Sequence, residues 1–398
     1  MRVLLYSHDT FGLGHLRRSR AIANALVQRW PEASVLIISG SPVIGNFEFL
    51  PGVDYVRIPG VTKLSNGNYR SLHLNLSLEE VVSLRQSIIL QTLRTFRPNL
   101  MVVDKEPTGF HGEMIPALEQ ASADGCRLVL GIRDVLDEAS LLVPEWQRKG
   151  ATDALINYYD EVWVYGLQDI YEPLASLELP DEVKQRITYT GYLRRDMPQE
   201  RVSRSYPRIS RQPFTLVTTG GGGDGEDLID WVISAYEAKP EMNLSSLVVF
   251  GPFINRERQH GFLERIARLP RIEAILFDTK LELLMQRATA IVAMGGYNTF
   301  CEILSFDKKA LIVPRTKPRL EQHIRAVEAE RLGLVCRLED TGERNPLAMA
   351  TALESLTDQM RPSEVMVPGL LDGLDRIRDR VSATLRGPFT ASAQEAAE

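Results

Sequence analysis

The run Gly295-Gly296-Tyr297-Asn298-Thr299-Phe300-Cys301-Glu302 joins two glycines, two polar residues able to cap a helix, and a carboxylate. Before it, Ala290-Ile291-Val292-Ala293-Met294 reads as a buried strand of a parallel sheet, and the residues after Asn298 read as a helix start. Two glycines at such a junction let the backbone approach a phosphate, and the helix N-terminus presents N–H groups to that anion. Asn298 or Thr299 is expected to cap the helix, and an acid in its first turn suits the dipole. Glu302 would point along the same mouth and accept hydrogen bonds from two ribose hydroxyls. The plain alternative is an ordinary βα turn with a surface glutamate, since Gly-Gly turns are common.

Downstream, Ala310-Leu311-Ile312-Val313-Pro314-Arg315 is a second short apolar strand, ended by a proline that cannot continue a ladder. Lys317-Pro318-Arg319 and Glu321-Gln322-His323 follow, opening a helix from Ile324 to Leu332 that stops at Gly333. In order and spacing these features resemble the C-terminal domain of the MurG-like GT-B glycosyltransferases, the family 28 type. In that family a Gly-Gly or Ser-Gly turn, a glutamate on the next helix and a glutamine-containing turn after a Val-Pro strand build the donor site. The resemblance implies that Gly295, Gly296, Asn298 and Thr299 meet the donor diphosphate, Glu302 the ribose, and Glu321 and Gln322 the donor sugar.

The first strand leads into Ser7-His8-Asp9-Thr10-Phe11-Gly12-Leu13-Gly14-His15-Leu16-Arg17-Arg18. Gly12 and Gly14 permit a tight turn and are expected, like the other glycine loops, to meet the donor diphosphate, and His15 falls at the N-terminus of the helix that follows. There the dipole disfavours the imidazolium, leaving a neutral ring able to take a proton. A surface histidine in a glycine turn is the simpler alternative, and His8 is a weaker second candidate. The Gly-x-Gly-His-x-x-Arg pattern resembles the first loop of MurG-like transferases. It is similar also to the nucleotide-sugar hydrolase of pseudaminic-acid synthesis, in which this histidine is the proposed base. The second domain opens with Leu216 to Gly225, where Gly220, Gly221, Gly222 and Gly223 suggest a backbone lying against a diphosphate, with a flexible hinge as the alternative. No Gly-Lys-Ser/Thr follows, so this is no Walker loop. Asp224 departs from the small neutral residue expected there and would cap the next helix.

Phe277, Asp278 and Thr279 follow a strand where the resembled enzymes hold the nucleobase; the resemblance favours uridine, while Phe277 reads equally as core. Asp104-Lys105-Glu106 and Arg133-Asp134 end strands and would line the acceptor side, although surface ion pairing accounts for them as well. The chain has no Asp-x-Asp pair, which argues against a metal-chelated donor. Glycine-loop N–H groups, a helix N-terminus, and Arg194 or Arg315 would stabilise the leaving group instead. No cofactor is implied, the nucleotide sugar being a substrate.

Short apolar strands alternate with longer helical patterns, which implies βαβ units and parallel sheets. Strands are expected at Val3–Ser7, Ser34–Ser39, Tyr55–Ile58, Leu100–Asp104, Arg127–Ile132, Val162–Tyr165 and Ile187–Thr190 in the first half. In the second they fall at Thr215–Thr218, Leu247–Phe250, Ala274–Phe277, Ala290–Ala293, Ala310–Val313 and Leu334–Cys336. A helix from Leu78 to Phe96 carries apolar residues near a 3.6 period. The fold class expected is α/β, a GT-B arrangement of two doubly wound Rossmann-like domains facing a central cleft. Residues 1–197 form the acceptor-side domain, 198–213 a linker, 214–362 the nucleotide-sugar domain, 363–386 a helical segment crossing back, and 387–398 a disordered tail.

The 398 residues suffice for two domains, and a 44% hydrophobic content with 28 Gly and 22 Pro is that of a soluble globular protein. A net charge of −6 argues against nucleic acid as the main partner. Cys126, Cys301 and Cys336 show no metal spacing and read as small hydrophobes of a reducing compartment. Met1 enters a strand at once, and no apolar run approaches a spanning helix, so a cytoplasmic location is expected. The segment from Tyr69 to Arg97 mixes Leu72, Leu74, Leu76, Ile88 and Ile89 with Arg70, Arg85, Arg94 and Arg97. A core-packed helix with a basic solvent face is the favoured reading; peripheral contact with the inner membrane face is the alternative. The function implied is a metal-independent glycosyltransferase moving a sugar from a nucleoside-diphosphate donor to the hydroxyl of a glycan, lipid or small molecule in envelope glycan synthesis. A nucleotide-sugar hydrolase, an epimerase of the same architecture and a catalytically inert binding module are the alternatives.

Overall fold

Val3-Leu4-Leu5-Tyr6 and Leu100-Met101-Val102-Val103 lack polar alternation, the pattern of strands covered on both faces. The computed structural model describes residues 1–8, 14–64, 68–196, 206–219, 225–251, 254–276, 278 and 280–386. The chain divides into two units, Met1–Leu193 with Gly369–Glu398, and Arg194–Pro368. In the first unit the strands are β1 (Arg2–Ser7), β2 (Ser34–Ser39), β3 (Val53–Arg57), β4 (Val61–Lys63), β5 (Tyr69–Ser71), β6 (Leu100–Asp104), β7 (Arg127–Arg133), β8 (Glu161–Tyr165) and β9 (Ile187–Tyr189). Seven of them form a parallel sheet in the order β3-β2-β1-β6-β7-β8-β9, with Leu4 between Leu36 and Met101. The second unit holds β10 (Thr215–Thr218), β11 (Ser246–Val249), β12 (Ile272–Ile275), β13 (Ala290–Ala293), β14 (Lys309–Ile312) and β15 (Cys336–Arg337). Its parallel sheet runs β12-β11-β10-β13-β14-β15.

Strand order reverses between β1 and β6 in the first sheet and between β10 and β13 in the second. Loops beyond the carboxyl ends of two such neighbours diverge to opposite faces and leave a crevice, the place where ligands bind in sheets of this kind. The histidine loop follows β1 and Asp104 ends β6; the glycine-rich loop follows β10 and the Gly295-Gly296 turn follows β13.

The helix Leu78–Phe96 has its expected bounds, because a capping box of Ser77 and Glu80 starts it and Arg97 at φ 48° ends it. Its expected solvent face needs correction: Arg85 is 1% exposed, buried with Val81, Ile89 and Leu93. The hairpin β4–β5 was not foreseen, because strands of three residues carry too little period to be read. Residues 206–213, expected as linker, carry a short turn of helix, Arg208–Arg211, whose Ile209 is buried and donates its N–H to Glu273. Residues 363–368 stay with the second unit, where the carboxylate of Asp307 accepts from the N–H and hydroxyl of Ser363. From Gly369 the chain belongs to the first unit, and the helix Gly373–Arg386 buries Leu374, Ile377 and Val381 and donates from Arg378 to the Ala25 carbonyl at 3.0 Å. The expected tail, 387–398, lies outside the described residues. Cys126 and Cys301 are buried and Cys336 half-buried, all as free thiols. Among the described residues no helix is long and apolar enough to cross a membrane.

Candidate active site

His15 is the second residue of the helix Gly14–Arg29, which packs on the sheet so that its first turn overhangs the end of β6. Its Nδ1 lies 2.6 Å from Asp104 Oδ2. Arg18, one turn further, donates from Nε to Asp104 Oδ1 at 3.2 Å and from Nη2 to Oδ2 at 2.7 Å, and Nη2 lies 2.9 Å from His15 Nδ1. Burial opposes ionisation of Asp104, but the charges of Arg18 and His15 outweigh it and hold the carboxyl well below the usual carboxylate range. A carboxylate has no proton to give the ring, so the contact assigns Nδ1–H as the donor and leaves Nε2 to take a proton. Burial, only partly opposed by Asp104, depresses the His15 pKa from its ordinary 6.5 to about 4. His15 is thus a neutral ring, oriented by a buried carboxylate, with 17% of its side chain exposed. That is the arrangement of a general base. Asp104, expected on the acceptor side, has both carboxylate oxygens engaged by His15 and Arg18.

His8 sits edge-on to His15 with ring centroids 5.7 Å apart, and burial lowers its pKa from 6.5 to about 3 against the charge of Glu106. Glu106 is itself paired with Lys105 at 3.1 Å and Lys149 at 2.8 Å. Lys105 has φ 72°, a left-handed conformation unusual outside glycine. Arg133 ends β7 half-buried. Asp134 is buried and already bonded, accepting from the Tyr192 hydroxyl at 2.9 Å and the Val135 N–H at 2.8 Å, which corrects its expected place on the acceptor side. Gly14 is the first residue of its helix, while Gly12 lies outside the described residues.

The two depressed histidines give a pH dependence of stability. The unfolded chain protonates both near 6.5, whereas the folded chain resists until about 4 for His15 and about 3 for His8. Between those values the unfolded state binds more protons, so stability is fully present above pH 6.5 and is lost as pH falls, by up to about 1.4 kcal/mol per pH unit for each histidine. Thermal melts from pH 7.5 to 4.5 should show a shallower loss for His8→Gln and His15→Gln than for the unaltered protein. Equal slopes would remove the burial argument.

In the second unit the turn after β13 requires glycine at its first position: Gly295 has φ 78°, and a Cβ there would stand 2.7 Å from Ile312 Cγ2. Gly296 is the N-cap of the helix Tyr297–Ser305, which has no side-chain cap and no acid in its first turn. This corrects the expected caps. Asn298 lies within the first turn, accepting from Arg195 Nη2 at 2.7 Å, with Thr299 half-buried beside it. Glu302 is buried at 1% exposure, which excludes the plain alternative of a surface glutamate. The helix Glu321–Arg331 begins three residues earlier than expected, and its first turns lie against the glycine turn. Arg325 Nη1 donates to the Gly295 carbonyl at 3.0 Å, and Gln322 Nε2 is 4.0 Å from where a Cβ on Gly296 would stand. Gln322 Oε1 accepts from the Arg315 N–H at 3.3 Å, and Arg315 Nη2 lies 4.0 Å from the buried Glu321 carboxylate. Asp278 is buried and caps its own turn by accepting from the Lys280 N–H at 2.8 Å. Gly220, Gly221, Gly222, Gly223, Asp224, Phe277 and Thr279 lie outside the described residues; the N-cap of the helix Glu226–Ala238 is Gly225.

The structure thus brings together His15, Asp104 and Lys105 in one unit, and Gly295, Gly296, Asn298, Glu321 and Gln322 in the other. Arg18 stood in the Gly-x-Gly-His-x-x-Arg pattern without a role, and Arg195 and Arg325 were not singled out by the sequence. Arg325 had a signal, being four residues after Glu321 on one face of a helix.

Residues 215–364 match the glycosyltransferase family 28 C-terminal domain. Comparison with curated proteins gave no match. Among solved structures the chain is similar to the calicheamicin glycosyltransferase CalG4, at 16% identity and a TM-score of 0.61 over 98% of this chain and 99% of that one. It is similar also to a Polygonum tinctorium UDP-glucosyltransferase capable of glucosylating indoxyl, at 14% identity and a TM-score of 0.63 over 97% and 95%. A third is the UDP-GlcNAc 2-epimerase from Neisseria meningitidis bound to UDP-GlcNAc, at 14% identity and a TM-score of 0.61 over 96% and 100%. The fold is GT-B, with two Rossmann-like domains of parallel sheet and flanking helices.

Proposed function

We propose that the protein is a glycosyltransferase that moves a sugar from a nucleoside-diphosphate donor, UDP-linked by resemblance, to a hydroxyl acceptor in cell-envelope or surface glycan synthesis. The observation that carries this reading is the family 28 match over residues 215–364, which spans the glycine turn, Glu302, Glu321 and Gln322. On this reading N–H groups at the start of the helix Tyr297–Ser305 hold the diphosphate, with the guanidinium of Arg195 close by on Asn298. Glu302 takes the ribose hydroxyls and Gln322 reaches the donor sugar. In the first unit His15 Nε2 removes the acceptor proton as the oxygen attacks the anomeric carbon, and Asp104 stabilises the imidazolium that forms. The chain carries no Asp-x-Asp pair, so leaving-group charge falls to these N–H groups and guanidinium groups. The epimerase likeness supports a second reading in which the same base acts on the bound nucleotide sugar alone.

Glu302→Ala is expected to weaken binding of UDP-sugars by about 1 to 3 kcal/mol, the value of charge-assisted hydrogen bonds to the ribose. Titration calorimetry with the UDP-sugar that most raises the melting temperature measures it directly. Unchanged affinity would take Glu302 out of the site.

A further inference from the structure

Tyr6, Tyr159 and Tyr192 are buried in the first unit, and each hydroxyl has a protein partner: Glu113 at 2.5 Å, the Pro107 carbonyl at 2.5 Å and Asp134 at 2.9 Å. Tyr165, 1% exposed at the end of β8, is different. Among the described residues no group comes within hydrogen-bond reach of its hydroxyl. Buried hydroxyls are almost always bonded, and a phenylalanine would fill the same space without the polar atom. The ring also demands a glycine. A Cβ on Gly131, in the interior of β7, would fall on the Tyr165 hydroxyl oxygen, and a glycine inside a strand weakens it. Two departures from an ordinary core therefore meet at one oxygen.

Strand register says where that oxygen lies. Asp104 is aligned with Gly131; Tyr6 is aligned with Val103, so Ser7 stands beside Asp104, with Ser39 next to it. Aligned residues of a parallel pair project to the same face, about 4.8 Å apart. The Tyr165 hydroxyl fills the place of a Gly131 side chain, which makes it the next group along a buried polar row of Ser39, Ser7 and Asp104. Asp104 Oδ2 accepts from His15 and from Arg18 Nη2, and Oδ1 accepts from Arg18 Nε. A carboxylate has about four acceptor positions, so Oδ1 can take a further donor. Burial, and after it the charge of Asp104, keep the Tyr165 phenol protonated against the charge of Arg18. It is therefore a donor.

We propose that one buried water joins the Tyr165 hydroxyl to Asp104 Oδ1 and makes Tyr165 a positioning residue for His15. Waters in such places bond the buried polar groups that protein atoms leave unpaired. The added donor fixes the carboxylate and draws charge from it, and Asp104 in turn holds His15 Nδ1–H and the direction of the Nε2 lone pair. The charged and titratable groups facing His15 are Asp104, Arg18, Lys105 and, edge-on, His8; Tyr165 adds no charge to them. The inference rests on the transferase reading for calling His15 a base, while the bridge itself can be tested with neither donor nor acceptor.

The test is Tyr165→Phe in the full chain, which removes one oxygen and leaves the ring on Gly131. Urea titration should give an unfolding equilibrium constant about two- to tenfold larger, the net worth of one hydrogen bond. An orphaned hydroxyl requires the opposite sign, a more stable variant. Ring-nitrogen NMR of histidine-labelled protein at neutral pH, with His15→Gln supplying the assignment, reads the role. The His15 Nδ1 signal should move downfield, because Asp104 pulls harder on Nδ1–H once the competing donor is gone. His260 and His323, in the other unit, should keep their shifts. A hydroxyl that only fills space would leave the His15 ring unchanged. A variant as stable as the unaltered protein or more so, or an unmoved His15 signal, would overturn the proposal. Neither measurement touches the UDP-sugar titration of Glu302→Ala, so the two readings fail separately.

Discussion

His15→Ala is expected to lower the maximal rate by roughly 10²- to 10⁴-fold, the usual contribution of a positioned general base. Affinity for the UDP-sugar should stay nearly constant, because the residues proposed to hold it lie in the other unit. Asp104→Asn should show a smaller loss of the same kind, since an amide keeps the shape but can leave the ring in the wrong tautomer. An inert binding module would bind its partner equally well with either residue at position 15. Donor incubated alone with the unaltered protein then separates the chemistries. Slow release of free sugar, accelerated by a lipid or glycan acceptor, supports transfer. Release as fast as any turnover seen with an acceptor would make the protein a hydrolase and sink the leading reading.

Arg85→Ala should destabilise the first unit by about 3 to 5 kcal/mol, because removing one partner of a buried ion pair strands the other charge. Glu113 would lose both guanidinium contacts, at Nε and Nη2, and the Pro59 carbonyl would lose its 2.6 Å donor. Arg85→Met with Glu113→Leu should recover much of the loss, since two apolar groups leave no buried charge unmatched. Denaturant titration followed by tryptophan fluorescence, with four tryptophans in the chain, reads both variants. A loss below 1 kcal/mol for Arg85→Ala would mean that water reaches the Glu113 carboxyl in the folded protein.

Local signals made much of this molecule legible from its residues. The glycine turn at 295–296, the strands before it and after it, the helix Leu78–Phe96 and the placing of His15 at a helix start all depend on groups within a turn or two of each other. Capping, glycine conformation and apolar period act at that range. What needed the tertiary structure is pairwise and distant. Asp104 reaches His15 across 89 positions and Glu113 reaches Arg85 across 28, so a strand-end acid became a histidine's partner and a basic helix residue became core. Asn298 looked like a cap until Arg195, 103 positions away, bonded its side chain and Gly296 took the cap position. Sequence spacing determines which residues can share a turn. Strand order decides such meetings across a sheet: His15 meets Asp104 because β1 and β6 are neighbours, and Arg325 meets the Gly295 carbonyl because β13 and β14 are.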